Sequence, residues 1–131
     1  FVLNYQEDMG RAAIDAGADL VMGHHPHRLQ GMEVYQGKLI CYSLCNLAIS
    51  FGEGPNFGEE SVIVKATIDA ASKQISRLSF VPIRLPDATM VPCRVPESQA
   101  GSYVDLMTSL SKKYGTAFHV ENGEIAIRAA P

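Results

Sequence analysis

A chain of 131 residues with 47% hydrophobic and 19% charged residues has the length and balance of one globular domain, or a large piece of one, with a buried core. The net charge of -3 and the scatter of the basic residues, as at Arg11, Lys38, Arg77 and Lys112-Lys113, give no electrostatic case for nucleic acid or an anionic membrane. No apolar stretch approaches the about 20 residues of a membrane-spanning helix.

The chain opens at Phe1 without an initiator Met and runs at once into helical patterning. This predicts a piece of a longer protein. Tyr5 to Ala16 reads as a helix, with Met9, Ala12, Ala13 and Ala16 near a 3.6-residue period, Asn4 as N-cap and Glu7 completing a capping box. Gly17 is placed to stop it at C′. Ala18 to Met22 is a short apolar run suited to a strand buried on both faces. Helix, glycine turn and buried strand make the second half of a βαβ unit, so the fold class is α/β.

Beyond the loop Gly23 to Gly31 the pattern changes to hairpins. Met32–Tyr35 and Leu39–Ser43 flank a Gln36-Gly37-Lys38 turn, and Ser61–Asp69 is answered by an antiparallel Gln74–Val81. A Gly/Pro/Asn-rich loop, Ser50 to Glu60, separates the two pairs. Pro82, Pro86, Pro92 and Pro96 predict an extended surface run. Glu97 to Tyr114 reads as a second helix with Tyr103, Leu106, Met107 and Leu110 on one stripe, and Ala117 to Arg128 as a hairpin around Asn122-Gly123. The expected division is residues 1–85 as one half of a domain and 86–131 as a helix and hairpin packed on it. The three cysteines, Cys41, Cys45 and Cys93, have no paired spacing and read as buried small hydrophobes.

Chemistry concentrates in Gly23-His24-His25-Pro26-His27, directly after the predicted strand, where α/β sheets gather their ligands. In an extended backbone residues two apart share a side, so His25 and His27 are expected to converge on one point and His24 to face away. Pro26 should hold His25 extended. Imidazole suits Zn, Mn, Fe or Ni. Two histidines are too few for a metal site, and no Asp-x-His, Gly-Asp or Gly-Asn-His cluster occurs in the chain; further ligands must come from elsewhere. His119, alone in a predicted hairpin, reads as structural.

The run from Gly17 to His27, followed by Leu29-Gln30-Gly31, resembles the CapA-type capsule-synthesis proteins, which are linked to poly-γ-glutamate and have a calcineurin-like metallophosphatase fold. The likeness continues through Val34–Ile40 and Tyr42–Asn46, weakens from Phe51, and returns loosely at Leu110-Ser111 and Gly115-Thr116. It implies the C-terminal part of a metallophosphatase-like αββα two-sheet sandwich with added hairpins. It also implies a bacterial cell envelope setting and divalent metal ions (Mn, Zn or Fe). The family's late G-H-x-H motif maps onto His25 and His27, each on one of two metals. Its earlier metal motifs would lie upstream of Phe1. His24 would then touch substrate or support the ligands, and Asn46 would orient a ligand or donate to substrate. The family usually has Gly and Phe around Asn46, where this chain has Cys45 and Leu47; if that glycine takes a positive φ, Cys45 is strained.

Two functions follow from the resemblance. One is a metal-dependent phosphoesterase-like hydrolase, with two ions activating water and neutralising phosphoryl charge. The other is a non-catalytic envelope factor that holds or guides an anionic capsule polymer. Half a sandwich should also expose sheet edges, so the expected partner is the upstream portion of the same protein or a second copy.

Overall fold

The first helix, α1 (Asn4–Asp15), buries Glu7, Gly10 and Ile14. In the computed structural model, which describes residues 1–48, 59–86 and 91–128, this stripe replaces the expected one. Met9 is 69% exposed, and Ala12 and Ala16 face solvent. Gly10 decides the orientation, because a Cβ there would lie 2.9 Å from Ile40 Cγ2, so only glycine lets the helix settle this close. The start differs as well. Leu3, not Asn4, is the N-cap, and its N–H donates to Gln6 Oε1 at 3.0 Å. Glu7 turns away from the helix end because Lys113 and Tyr114 satisfy its carboxylate. The stop is as expected: Gly17 has φ 105, its N–H reaches Ile14 O and that of Ala18 reaches Ala13 O, the two bonds of a Schellman motif.

Three strands form the first sheet: β1 (Leu20–Met22), β2 (Met32–Tyr35) and β3 (Lys38–Cys41). Their order is β1-β3-β2. β1 runs parallel to β3, pairing Val21 with Ile40, and β2 is antiparallel to β3 through a turn with Gln36 and Gly37 both at positive φ, the type I′ geometry. β3 separates two apolar layers by alternation. Leu39 and Cys41 face the main core, while Ile40 packs with Tyr42 and Ile14 beneath α1. The expectation for β1 needs correcting. It has three residues, not five, is half-buried, and lies at an edge of its sheet, with Met22 55% exposed. Only β3 pairs with it among the described residues, while Leu20 packs against the main core and Val21 against the smaller cluster beneath α1.

The second sheet holds β4 (Glu60–Ile68), β5 (Ile75–Arg84), β6 (Cys93–Arg94), β7 (Phe118–Glu121) and β8 (Glu124–Ile127). Its order is β4-β5-β8-β7, with the short β6 also on β5. The two predicted hairpins fall in different sheets: Met32–Cys41 shares one with β1, and β4–β5 pairs with the C-terminal hairpin. β5 also runs past its expected end at Val81, through Pro82. β8 pairs with Ser79 and Phe80 and β6 with Ile83 and Arg84, so the missing proline N–H falls in the gap between two partners. The Asn122-Gly123 turn has both residues at positive φ, as expected. The Ser50–Glu60 loop lies, except for its last two residues, outside the described residues.

Helix α2 (Ala100–Ser111) begins and ends in 3-10 turns, Glu97–Gln99 and Lys112–Tyr114. It packs against β2 in one sheet and β7 and β8 in the other. Tyr103 and Met107 join Leu39, Cys41, Phe80, Phe118 and Ile125 in one core, and Phe80 meets Phe118 edge-on at 5.7 Å. The architecture is mixed α/β with two sheets. Among the described residues no helix is long and apolar enough to cross a membrane.

Candidate functional site

The histidine loop is stitched to the segment that follows β3. Gly23 N–H donates to Cys41 O at 2.7 Å and its own carbonyl accepts from Leu44 N–H at 3.0 Å. Further on, Leu29 bridges Leu44, Gln30 N–H reaches Ser43 O, and Gly31 O accepts from Tyr42 N–H. Both ends of the loop therefore sit against one short stretch of chain. Glycine is obligatory at its start, because a Cβ on Gly23 would lie 2.2 Å from Tyr42 O.

Between those two ends the chain has to reverse, and this overturns the expected extended geometry. His25 has φ 96 and His27 φ 54, both in the left-handed region that costs an L-residue about 1–2 kcal/mol. Residues 25–28 form a bend. The proline keeps His25 out of the α region, but closure of the loop onto Ser43 and Leu44 takes it to positive φ rather than to a strand. The period-2 argument for a shared His25/His27 direction therefore lapses.

What the structure joins is different. His27 Nδ1 lies 2.7 Å from Asn46 Oδ1, and His24 Nδ1 lies 3.4 Å from the Cys45 carbonyl oxygen. His27 and Asn46 are half-buried, while His24 and His25 are exposed. His24 and His25 line a groove of about 470 Å³ along α1, with Tyr5, Met9 and Val21 on its walls. His24 and Asn46 line a second hollow of about 200 Å³ over Ser61 to Val64 of β4. The Cys45 carbonyl escaped the sequence reading because a backbone acceptor carries no residue signature.

Cys45 stands at φ 68, the conformation anticipated if the family's glycine takes positive φ. It is also buried, as is Cys41. Burial pushes the Cys41 thiol up to about 12 and raises that of Cys45, so neither is a nucleophile near neutrality. Cys93, expected to be buried, is exposed, since β6 is a two-residue strand at the surface. His119 is half-buried in β7, its Nδ1 without a hydrogen-bond partner among the described residues.

The donor chemistry fits metal ligation in part. A His27 imidazole with Nδ1 on Asn46 has the support from behind that histidine ligands commonly have. Among the described residues no group of three or more His, Cys, Asp or Glu side chains is placed to hold an ion.

The family described as bacterial capsule synthesis protein PGA_cap matches residues 2–50. The chain is also 32% identical over 120 residues to the PGA biosynthesis protein CapA of Bacillus subtilis (strain 168), covering 92% of this chain and 30% of that protein. It belongs to the CapA-type capsule synthesis family. The capsule biosynthesis protein CapA of Bacillus anthracis is 33% identical over 107 residues, 82% of this chain and 25% of that one. A probable polyglutamine synthesis accessory protein of Mycobacterium tuberculosis (strain CDC 1551 / Oshkosh) is 35% identical over 77 residues, 55% of this chain and 20% of the relative. The chain thus spans 30% or less of the length of these three relatives. The family match, residues 2–50, takes in His24, His25, His27 and Asn46.

Proposed function

We propose that this segment contributes imidazole ligands to the divalent-metal centre of a phosphoesterase-like hydrolase acting in capsule or poly-γ-glutamate synthesis. His25 and His27 are the ligands, with Mn, Zn or Fe as the candidate metals. Asn46 orients His27, and His24, on the open groove, meets the substrate. The observation that carries the reading is the 2.7 Å bond between His27 Nδ1 and Asn46 Oδ1, the support from behind that histidine ligands commonly have. Bound divalent ions would act as Lewis acids and neutralise charge on a phosphoryl-like group. This chain's residues hold and orient; the remaining ligands come from other parts of a protein of the relatives' length. Those parts, or a second copy, also supply the surface against which β1's open edge and the exposed Met9 and Met22 pack. The setting is the bacterial cell envelope.

One comparison favours a second reading, a non-catalytic factor that holds an anionic polymer: the mycobacterial relative is described as a synthesis accessory protein. The two readings separate on metal and turnover. In a protein of the relatives' full length, His25→Ala and His27→Ala should each lower bound metal and abolish metal-dependent hydrolysis of phosphoester substrates, with His24→Ala weakening it less. Near-wild-type metal content in both of the first two variants would sink the ligand assignment. Full metal content without turnover on any phosphoester would favour the polymer-holding factor.

A further inference from the structure

We infer that the cleft between α2 and the open edge of β7 is a docking site for an extended acidic segment of another protein, which adds to the second sheet as a strand. The inference goes beyond the proposed function, because it involves neither the histidine loop nor a metal.

The backbone supplies the first half of the case. β7 is the outer strand in the order β4-β5-β8-β7. Glu121 pairs with Glu124 across the Asn122-Gly123 turn, and at the other end Arg128 N–H donates to Ala117 O at 2.8 Å. Residues of an antiparallel ladder alternate between bonding their neighbour and facing away. His119 and Glu121 therefore direct their N–H and C=O groups to β8, and Phe118 and Val120 direct theirs outward. α2 covers one outward group, since Phe118 N–H donates to Thr108 Oγ1 at 3.3 Å. Among the described residues the Phe118 carbonyl and the N–H and carbonyl of Val120 have no such partner. An open row of this kind is a template for one more strand.

The side chains decide what that strand carries. A cleft of about 640 Å³ runs beside the edge, with Asp105, Thr108 and Lys112 on the helix side and Thr116, Phe118 and Arg128 on the sheet side. Lys112 and Arg128 are exposed, and among the described residues neither forms an ion pair. Asp105 opposes them, but it lies two helical turns before Lys112, about 10 Å along the axis. Positive charge is thus gathered where α2 gives way to β7. Thr116 stands at that same end, 5% exposed, its Oγ1 without a hydrogen-bond partner among the described residues. A buried hydroxyl left unpaired is costly, and a carboxylate or carbonyl brought to this end would pair it. The lining holds no Leu, Ile or Met. Such a polar wall suits a partner that comes and goes rather than a permanent apolar contact.

The test is ¹⁵N NMR with amide hydrogen exchange on this chain. In the free chain β8 should protect the His119 and Glu121 amides, while the Val120 amide exchanges as an open one. The probe is an end-capped, α-linked hexapeptide of alternating valine and glutamate. Its addition should shift the signals of residues 116–120 and slow Val120 exchange. Lys112→Glu combined with Arg128→Glu should weaken binding by about tenfold, and a valine–lysine peptide should then bind that variant instead. Protection of Val120 in the free chain overturns the proposal, and protection that grows with protein concentration makes a second copy the occupant. Equal binding by the same peptide methylated on alternate amides also overturns it, because charge alone is then read. So does equal binding by γ-linked oligoglutamate, whose amides are spaced too far apart to match a strand. If the double variant does not fold, these last two probes decide the matter on the unaltered chain.

Discussion

Cys45 poses the sharpest contradiction at the scale of one residue. Its side chain is 4% exposed and packed in the main core, which favours keeping it. Its backbone at φ 68 favours glycine by about 1–2 kcal/mol. Alanine has the worst of both, losing the sulfur contacts while keeping the Cβ that makes the conformation costly. Cys45→Gly should therefore unfold in urea at a higher midpoint than Cys45→Ala, by the equivalent of about 1 kcal/mol. At an ordinary φ the order is reversed, since glycine adds backbone entropy to the unfolded chain. A more stable alanine variant would show that the positive φ costs nothing here. The position was legible before the fold because a departure from the family's glycine carries its own conformational argument. The positive φ of His25 was not, because it comes from loop closure onto Ser43 and Leu44, which local sequence does not record.

At the scale of elements, what was legible is what is local. The second helix fills its expected span from Glu97 to Tyr114, and the turns at Gln36-Gly37 and Asn122-Gly123 declare themselves through residues that accept positive φ. Sheet membership was not legible. β5 pairs with β8, Phe80 against Ile125, across a separation that no periodicity encodes, and this choice puts the two predicted hairpins in different sheets. α2 ties those sheets together, and its last residue does so by a specific bond. Ser111, fully buried, accepts from the Met32 N–H of β2 at 2.9 Å through its Oγ. Ser111→Ala removes no significant volume but strands a buried N–H, which costs about 1–3 kcal/mol. Denaturation should show that loss, and Ser111→Thr, if it fits, should recover part of it. A neutral Ser111→Ala would mean that water or a relaxed backbone satisfies Met32.

At the scale of the whole molecule, charge ties the first helix to the last. Glu7 of α1 is 7% exposed; it accepts hydrogen bonds from Lys113 and from Tyr114 OH, the latter at 2.7 Å, more than a hundred residues along the chain. Arg11, one turn on, pairs with Glu33 of β2 at 2.9 Å and stands 4.0 Å from Glu7. Tyr42 also donates to Glu33, and Tyr42 and Tyr114 lie ring to ring at 5.2 Å. Helix, both segments of the hairpin and the end of α2 thus share one network under Gly10. Lys113, then Tyr114, hold the Glu7 carboxyl below its ordinary 4.5, against the opposing effect of burial. A carboxylate with a depressed folded value contributes stability that is present above the unfolded value and lost as pH falls through the folded one. Lys65 and Ser79 lower Glu124 in the same way at the second sheet, so acid should act on both layers. Stability should therefore be level from pH 7 to about 5, and fall as pH drops below the ordinary glutamate range. Glu7→Gln should be less stable at neutral pH and show a shallower decline, with the two proteins converging once pH falls below the folded value of Glu7. The steps still left in the variant belong to Glu124 and the other carboxylates. Parallel pH profiles of the denaturation midpoint for the two proteins would mean that Glu7 titrates as it does in the unfolded chain, and the first helix would then be held by Gly10, Ile14 and Tyr42 packing alone.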